Sequence, residues 1–475
     1  MVFSSPLFLG CFLPVLLAAY FCAPRRARNA VLLAGSVFFY AWGEPKAVFL
    51  LLALAILNWR AGLAMSSALG AGRAAAARRI LFAGVAANLA ALGIFKYASF
   101  AAENLRALGI PAPDPGIALP LGVSFYVFQC ISYLADVSRG DTRAERGLAD
   151  FALYVSLFPQ LVAGPIVRHR QIADEIAQRR EDVAGFADGM ARFGRGLAKK
   201  VIVADTLAAA ADAAFPADIS ALPQAMAWFG VLCYAMQIYY DFSGYSDMAI
   251  GLGRVFGFRF PENFDHPYCA CDVREFWRRW HMSLSSWFRD YVYIPLGGSR
   301  RGAARTYRNL VVVFALCGLW HGASWCFVLW GLWHGAGLVF ERLAGGARRA
   351  EDEAPLWRRC LGNARLWLFV LVGWVPFKAG TEGYGVGYAA RYLRTMFLGN
   401  PGHGFFSWWP ALGATAPFTL VVLAAALVIS YGAPARRLCP DGSAAASRAV
   451  AFALFAAAFA FAMTSGYSPF IYFRF

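Results

Sequence analysis

Long apolar stretches alternate with short, arginine-bearing polar ones along almost the whole chain. A helix that crosses a membrane needs about 20 mostly apolar residues. The pattern predicts helices near 5–23, 29–42, 46–65, 80–98, 117–137, 198–214, 222–250, 306–320, 323–341, 362–380, 412–433 and 449–465. This is an all-α polytopic membrane bundle of about 11–13 crossings in one domain spanning 1–475. Basic residues cluster between the spans: Arg25, Arg26 and Arg28; Arg60, Arg73, Arg78 and Arg79; the segments 138–146, 164–200, 253–310 and 342–366; and Arg436 with Arg437. The connections near 43–45, 213–222 and 466–473 hold no Lys or Arg. With the basic segments on the cytoplasmic side, both termini are expected outside. The first apolar stretch ends at Ala23-Pro24-Arg25-Arg26 rather than at a cleavage site, so it reads as a retained span.

Two consequences follow from the charge pattern. The apolar stretch 147–163 has basic flanks on both sides and is too short for two crossings, so it is expected to be re-entrant, inside protein or along a cavity. Residues 311–341 also lie between basic segments and must cross an even number of times. His321, near their midpoint, is therefore expected deep in the membrane or near its far face.

Composition removes the soluble alternatives. Hydrophobic residues make up 59% and charged residues 15% of the 475, against about 45–50% and 25% in soluble domains. A formal net charge of +16 would suggest nucleic acid in a soluble protein. Here the basic residues sit between spans, which fits anionic lipid and no nucleic-acid partner. Of ten cysteines, Cys11, Cys22, Cys130, Cys233, Cys317 and Cys326 fall in or beside apolar stretches, and no paired framework is visible.

Ionisable residues within apolar spans are the candidates for chemistry. His321 and His334 each sit in Trp-His-Gly-Ala, where the glycine allows close backbone approach. The run Gln237–Asp247 places Tyr240, Asp241, Ser243 and Asp247 in an apolar helix, either as a polar lining or as bonds between helices. Along 274–291, Phe276, Trp277, Trp280, Leu284, Trp287, Phe288 and Tyr291 form an apolar stripe at helical spacing. Arg274, Arg278, His281, Ser285 and Arg289 share the opposite face. A basic helix lying on the cytoplasmic leaflet would explain this pattern, and so would a phosphate site completed by Arg300 and Arg301 in the glycine-rich turn 297–302. His266, Cys269, Cys271 and His281 match no standard zinc spacing, so no metal is expected.

Several segments together resemble the membrane-bound O-acyltransferase superfamily, and within it the branch that O-acetylates alginate-like polysaccharides. They are Leu119–Tyr126, Phe158–Pro165, Tyr240–Asp247, the run from Phe276 through Gly298 and Trp320–Ala323, with Phe39–Gly43 near the start and Phe470–Phe473 near the end. The resemblance implies a helical bundle with re-entrant and amphipathic interfacial helices around a central tunnel, its core roughly at 117–341. It implies acetyl transfer from cytoplasmic acetyl-CoA, a substrate rather than a bound cofactor, to an extracytoplasmic polysaccharide. An SGNH-type acetyltransferase partner and a bacterial inner-membrane location go with it. By the same resemblance His321 is the essential catalytic residue, His281 occupies the other polar active-site position, and His334 is less certain. D-alanyl transfer to teichoic acid on the same scaffold is the alternative enzyme. A transporter would show repeated halves with broken helices, which the sequence lacks.

Overall fold

The computed structural model describes residues 1–162, 164–345, 355–400, 416–432, 444–464 and Phe470. The turn at Arg436 and Arg437, most of the connection 466–473 and Ala163 of the Phe158–Pro165 motif lie outside them. Every long element among the described residues is a helix. Four have both the length and the apolarity to cross a bilayer: Ala47–Gly70, Ala74–Ala107, Leu356–Thr381 and Ala446–Met463; Phe8–Cys22 and Ala416–Ser430 are apolar but shorter. Other predicted spans are helices that carry polar groups into the protein, among them Gln224–Val255, Ala303–His321 and Trp325–Leu343. The chain divides into two compact units, Met1–Gly194 with Tyr245–Pro261 and Ala462–Tyr467, and Arg195–Gly244 with Glu262–Phe461 and Ser468–Phe475.

In the first unit, Ala47–Gly70 and Ala74–Leu92 form a hairpin turned at Gly72, whose φ of 71° suits glycine. Asn58 and Asn88 are fully buried and bond to each other twice, Nδ2 to Oδ1 at 3.1 and 2.7 Å. Each also donates to the carbonyl four residues before it. Phe3, Phe8, Phe12, Phe39 and Phe158 make a common aromatic core with centroids 5.1–6.2 Å apart along its contacts. The expected re-entrant stretch is two short buried helices, Leu148–Ser156 and Phe158–Leu161, broken at Leu157. Nine residues span roughly 14 Å, half the hydrocarbon thickness. The Ser36 hydroxyl accepts the Phe158 N–H at the break.

In the second unit, Ala303–His321 and Trp325–Leu343 form a hairpin. Nineteen residues make each arm roughly 28 Å long, and the turn is only Gly322, Ala323 and Ser324. Gly318 and Gly331 set the crossing. A Cβ on Gly331 would stand 2.1 Å from the Phe314 carbonyl oxygen, and one on Gly318 2.2 Å from that of Phe327. Small residues let two membrane helices meet backbone to backbone. Leu356–Thr381 packs on the second arm, where Trp333 stacks on Phe369 at 4.9 Å and donates to its carbonyl at 3.0 Å. Periodicity did not single out the amphipathic helix Val386–Leu398, held by Tyr392 against the carbonyls of Ala214 and Ala227.

Candidate active site

His321 is the last residue of its helix, and Gly322 leaves it in extended backbone with φ −165°. A Cβ on Gly322 would fall 2.1 Å from the Phe327 ring, so a side chain there would have to displace that ring. The imidazole is buried, 3% exposed. It meets Trp330 at 4.9 Å and Phe377 at 5.2 Å, both edge-on, and Trp320 at 5.0 Å. One residue beyond Phe377, the buried Lys378 ammonium bonds to Asp212 and Glu382, the latter at 2.6 Å. The histidine thus sits in an aromatic cage.

The 274–291 segment corrects the sequence reading. It is two short helices, Val273–Arg279 and Met282–Phe288, separated at Trp280 and His281. His281 takes the left-handed conformation, φ 43° and ψ 54°, which few non-glycine residues adopt. The break turns His281 away from the arginine face, and it is fully buried. The aromatic stripe faces protein rather than lipid: Trp277 meets Phe314 and Trp330, and Trp280 meets Trp374. Periodicity failed here because it assumed one continuous helix.

Asn263, which the sequence did not flag, fixes the His281 ring. Its Oδ1 accepts from the Ser283 N–H at 3.3 Å and the Ser283 hydroxyl at 2.9 Å, and lies 3.1 Å from His281 Nδ1. A backbone N–H only donates, so this amide atom is the oxygen, and His281 Nδ1 carries the proton. The lone pair is therefore on Nε2. Burial pushes this imidazole, in a loop outside the spanning helices, well down, to about 3, so it is neutral. His281 and His321 both contact the Trp320 indole, at 6.1 and 5.0 Å.

A cavity of about 480 Å³ joins the two short helices to the hairpin. Arg274, Arg278, Arg289 and Arg342 line it, while Leu310, Val313, Phe314 and Cys317 form an apolar wall along one helix face. Cys317 is one turn before His321 on that face, so the wall ends roughly 5–6 Å short of the catalytic candidate. Arg289 pairs with Asp290 at 2.7 Å. Arg274, Arg278 and Arg342 have no ion pair among the described residues. Arg300 and Arg301 do not line this cavity. Arg342 falls in the basic segment 342–366 of the sequence pattern, but the helix extends to Leu343 and sets it on one face with Leu338.

His334 lies behind the cavity wall. Trp277, a lining residue, donates its indole N–H to His334 Nδ1 at 3.2 Å. Tyr240 donates to the Ala426 carbonyl at 2.7 Å, and Asp241 pairs with the buried Lys200 at 3.0 Å. Ser243 is buried, and Asp247 belongs to the first unit, where Arg192 holds it at 2.8 Å. None of these four lines the cavity, and the bonds of Tyr240, Asp241 and Asp247 fasten helices together. Among the described residues no three His, Cys, Asp or Glu side chains converge on a metal position.

Residues 117–375 match the model of the membrane-bound O-acyltransferase family. The probable alginate O-acetylase AlgI of Azotobacter vinelandii is 47% identical over 384 residues, 80% of this chain and 75% of that protein. The probable alginate O-acetylase AlgI of Pseudomonas putida is 41% identical over the full length of both chains. The peptidoglycan O-acetyltransferase of Helicobacter pylori is 35% identical over 80% of this chain and 77% of its own.

Proposed function

The chain belongs to the membrane-bound O-acyltransferase family and is a membrane O-acyltransferase; on that premise, we propose that it moves acetyl groups from cytoplasmic acetyl-CoA for O-acetylation of an extracytoplasmic polysaccharide. The observation that carries this reading is the cavity whose arginines lie on one side and whose apolar wall ends one helical turn from His321. Arginine forks suit the phosphates of coenzyme A, and the apolar wall suits its thioester arm. The full-length likeness to alginate O-acetylases supports acetyl as the group and a polysaccharide as the destination. An SGNH-type partner outside a bacterial inner membrane would receive the acetyl group. The family match runs through both compact units, which supports one acyltransferase domain over 1–475 with its core near 117–341.

In this mechanism the acceptor hydroxyl loses its proton to His321 as its oxygen attacks the thioester carbonyl. The carbon–sulfur bond breaks, and the coenzyme A thiolate takes the proton back from His321. His281, neutral with its lone pair on Nε2, can only accept at that atom, so its role would be to hold and orient the acceptor hydroxyl for its attack. Purified protein supplied with acetyl-CoA should release free coenzyme A thiol and label the acceptor, with both lost in His321→Ala. Transfer from a D-alanyl carrier protein but not from acetyl-CoA would overturn this reading in favour of teichoic acid chemistry.

A further inference from the structure

A second cavity, of about 610 Å³, is walled by Trp325–Leu343, Leu356–Thr381 and the start of Val273–Arg279. Trp333, Phe340, Leu366 and Phe369 give it an apolar lining. The same two long helices expose Leu332, Phe340, Leu343, Leu361 and Leu368. In a membrane protein such a surface is covered by lipid tails, and water fills an apolar cavity poorly.

The charged groups of this cavity are Arg274, Arg365, Asp272 and Glu341. Both carboxylates are engaged by peptide groups. Glu341 accepts the N–H of Val273 at 2.6 Å and of Arg274 at 3.3 Å, and Asp272 accepts that of Glu275 at 2.6 Å. They cap the Val273–Arg279 helix. Arg274 and Arg365 have no ion pair among the described residues. An apolar slot open to lipid therefore carries two guanidinium groups that make no close ion pair, while the oxygens of the two carboxylates beside them are turned to peptide N–H groups. Arginine forks match phosphate oxygens, and basic pockets between membrane helices suit anionic headgroups.

We propose that this cavity binds an anionic glycerophospholipid, with its phosphate on Arg365 and Arg274 and an acyl chain along Trp333, Phe340 and Phe369. Arg274 lines both cavities and Arg365 only this one, so the test is made at Arg365, whose loss leaves the arginines of the first cavity in place. The measurement is native mass spectrometry of the full-length protein with added phosphatidylglycerol or phosphatidylcholine. Wild type should retain phosphatidylglycerol over phosphatidylcholine, and Arg365→Gln should lower that retention about tenfold or more. Ala344→Trp, which fills the slot from an exposed wall position without removing charge, should lower it similarly, and it carries the test if Arg365→Gln does not accumulate. Equal retention in wild type and variants would overturn the site. So would displacement of the lipid by an equal concentration of glycerol 3-phosphate, which has a phosphate and no acyl chain.

Discussion

Replacing Asn263 with alanine should disable His281 from a distance of one hydrogen bond. In the wild type the amide oxygen receives two donors from Ser283 and the Nδ1 proton of His281, which keeps the imidazole lone pair on Nε2. The alanine variant removes that acceptor from a fully buried ring. A stranded buried N–H costs about 1–3 kcal/mol. The ring escapes part of this cost by moving its proton to Nε2, so the same 1–3 kcal/mol measures the lost preference for the productive tautomer. That corresponds to a fall in kcat of roughly 5- to 150-fold, with the KM for donor little changed because Asn263 is not in the arginine-lined cavity. Asn263→Asp keeps the acceptor and should keep most of the activity. Its carboxylate would also raise the His281 pKa from about 3, so an acid limb should appear in its pH–rate profile that the wild type lacks. The assay is thiol release from acetyl-CoA across pH for the three proteins. Wild-type kcat in Asn263→Ala at every pH would refute the tautomer argument.

The same depressed pKa has a sign for stability. Between about 3 and the ordinary value of 6.5 the unfolded chain binds a proton at His281 that the folded chain does not. Stability should therefore fall as pH drops through that window, and His281→Gln should flatten the slope in thermal unfolding. His321→Ala should abolish acetylation while the protein accumulates normally, with a smaller defect in His334→Ala; near-normal transfer by purified His321→Ala would remove it from the mechanism. Arg278→Gln, at an exposed cavity position, should raise the donor KM roughly 10- to 100-fold without changing the unfolding temperature, and unchanged donor kinetics would return this residue to lipid contact. Gly331→Ala should cost about 1–3 kcal/mol, because its Cβ would meet backbone atoms that no rotamer can move. Gly70→Ala, with open space around it, is the control for that measurement.

Much of the bundle was legible because lipid imposes a simple rule of apolar length and basic flanks. That rule fixed the hairpin at 303–343 and put His321 at its turn. It also identified 147–163 as too short to cross. It could not foresee the break at His281, since Trp280 and His281 carry no glycine or proline to announce it and the helical spacing continues through them. Arg274, Arg278 and Arg289 were found by spacing, whereas Arg300 and Arg301 were grouped with them by sequence proximity alone. Asn263 lies outside every span and acts through a single side-chain oxygen, a kind of role that periodicity does not register. Tyr240, Asp241 and Asp247 were visible as costly polar groups, but only their partners, Ala426, Lys200 and Arg192, reveal what each one fastens.

The doubled amide bond between Asn58 and Asn88 bears on how the first hairpin is assembled. Leucine- and alanine-rich helices in lipid can slide past one another by a turn with little change in packing. Here a slide of about 5.4 Å would break both inter-helix bonds at once. Each such bond in a membrane is worth about 0.6–1.7 kcal/mol, so the pair separates the native alignment from its neighbours by about 1–3 kcal/mol. That is roughly 5- to 150-fold in occupancy. Because each asparagine keeps a bond to its own helix before the partner arrives, the helices can enter the bilayer singly and lock only on meeting. The segment 47–92 therefore carries an alignment mark of its own, in addition to the packing of Gly62 on Tyr133 and Gly84 on Leu134 from a later helix.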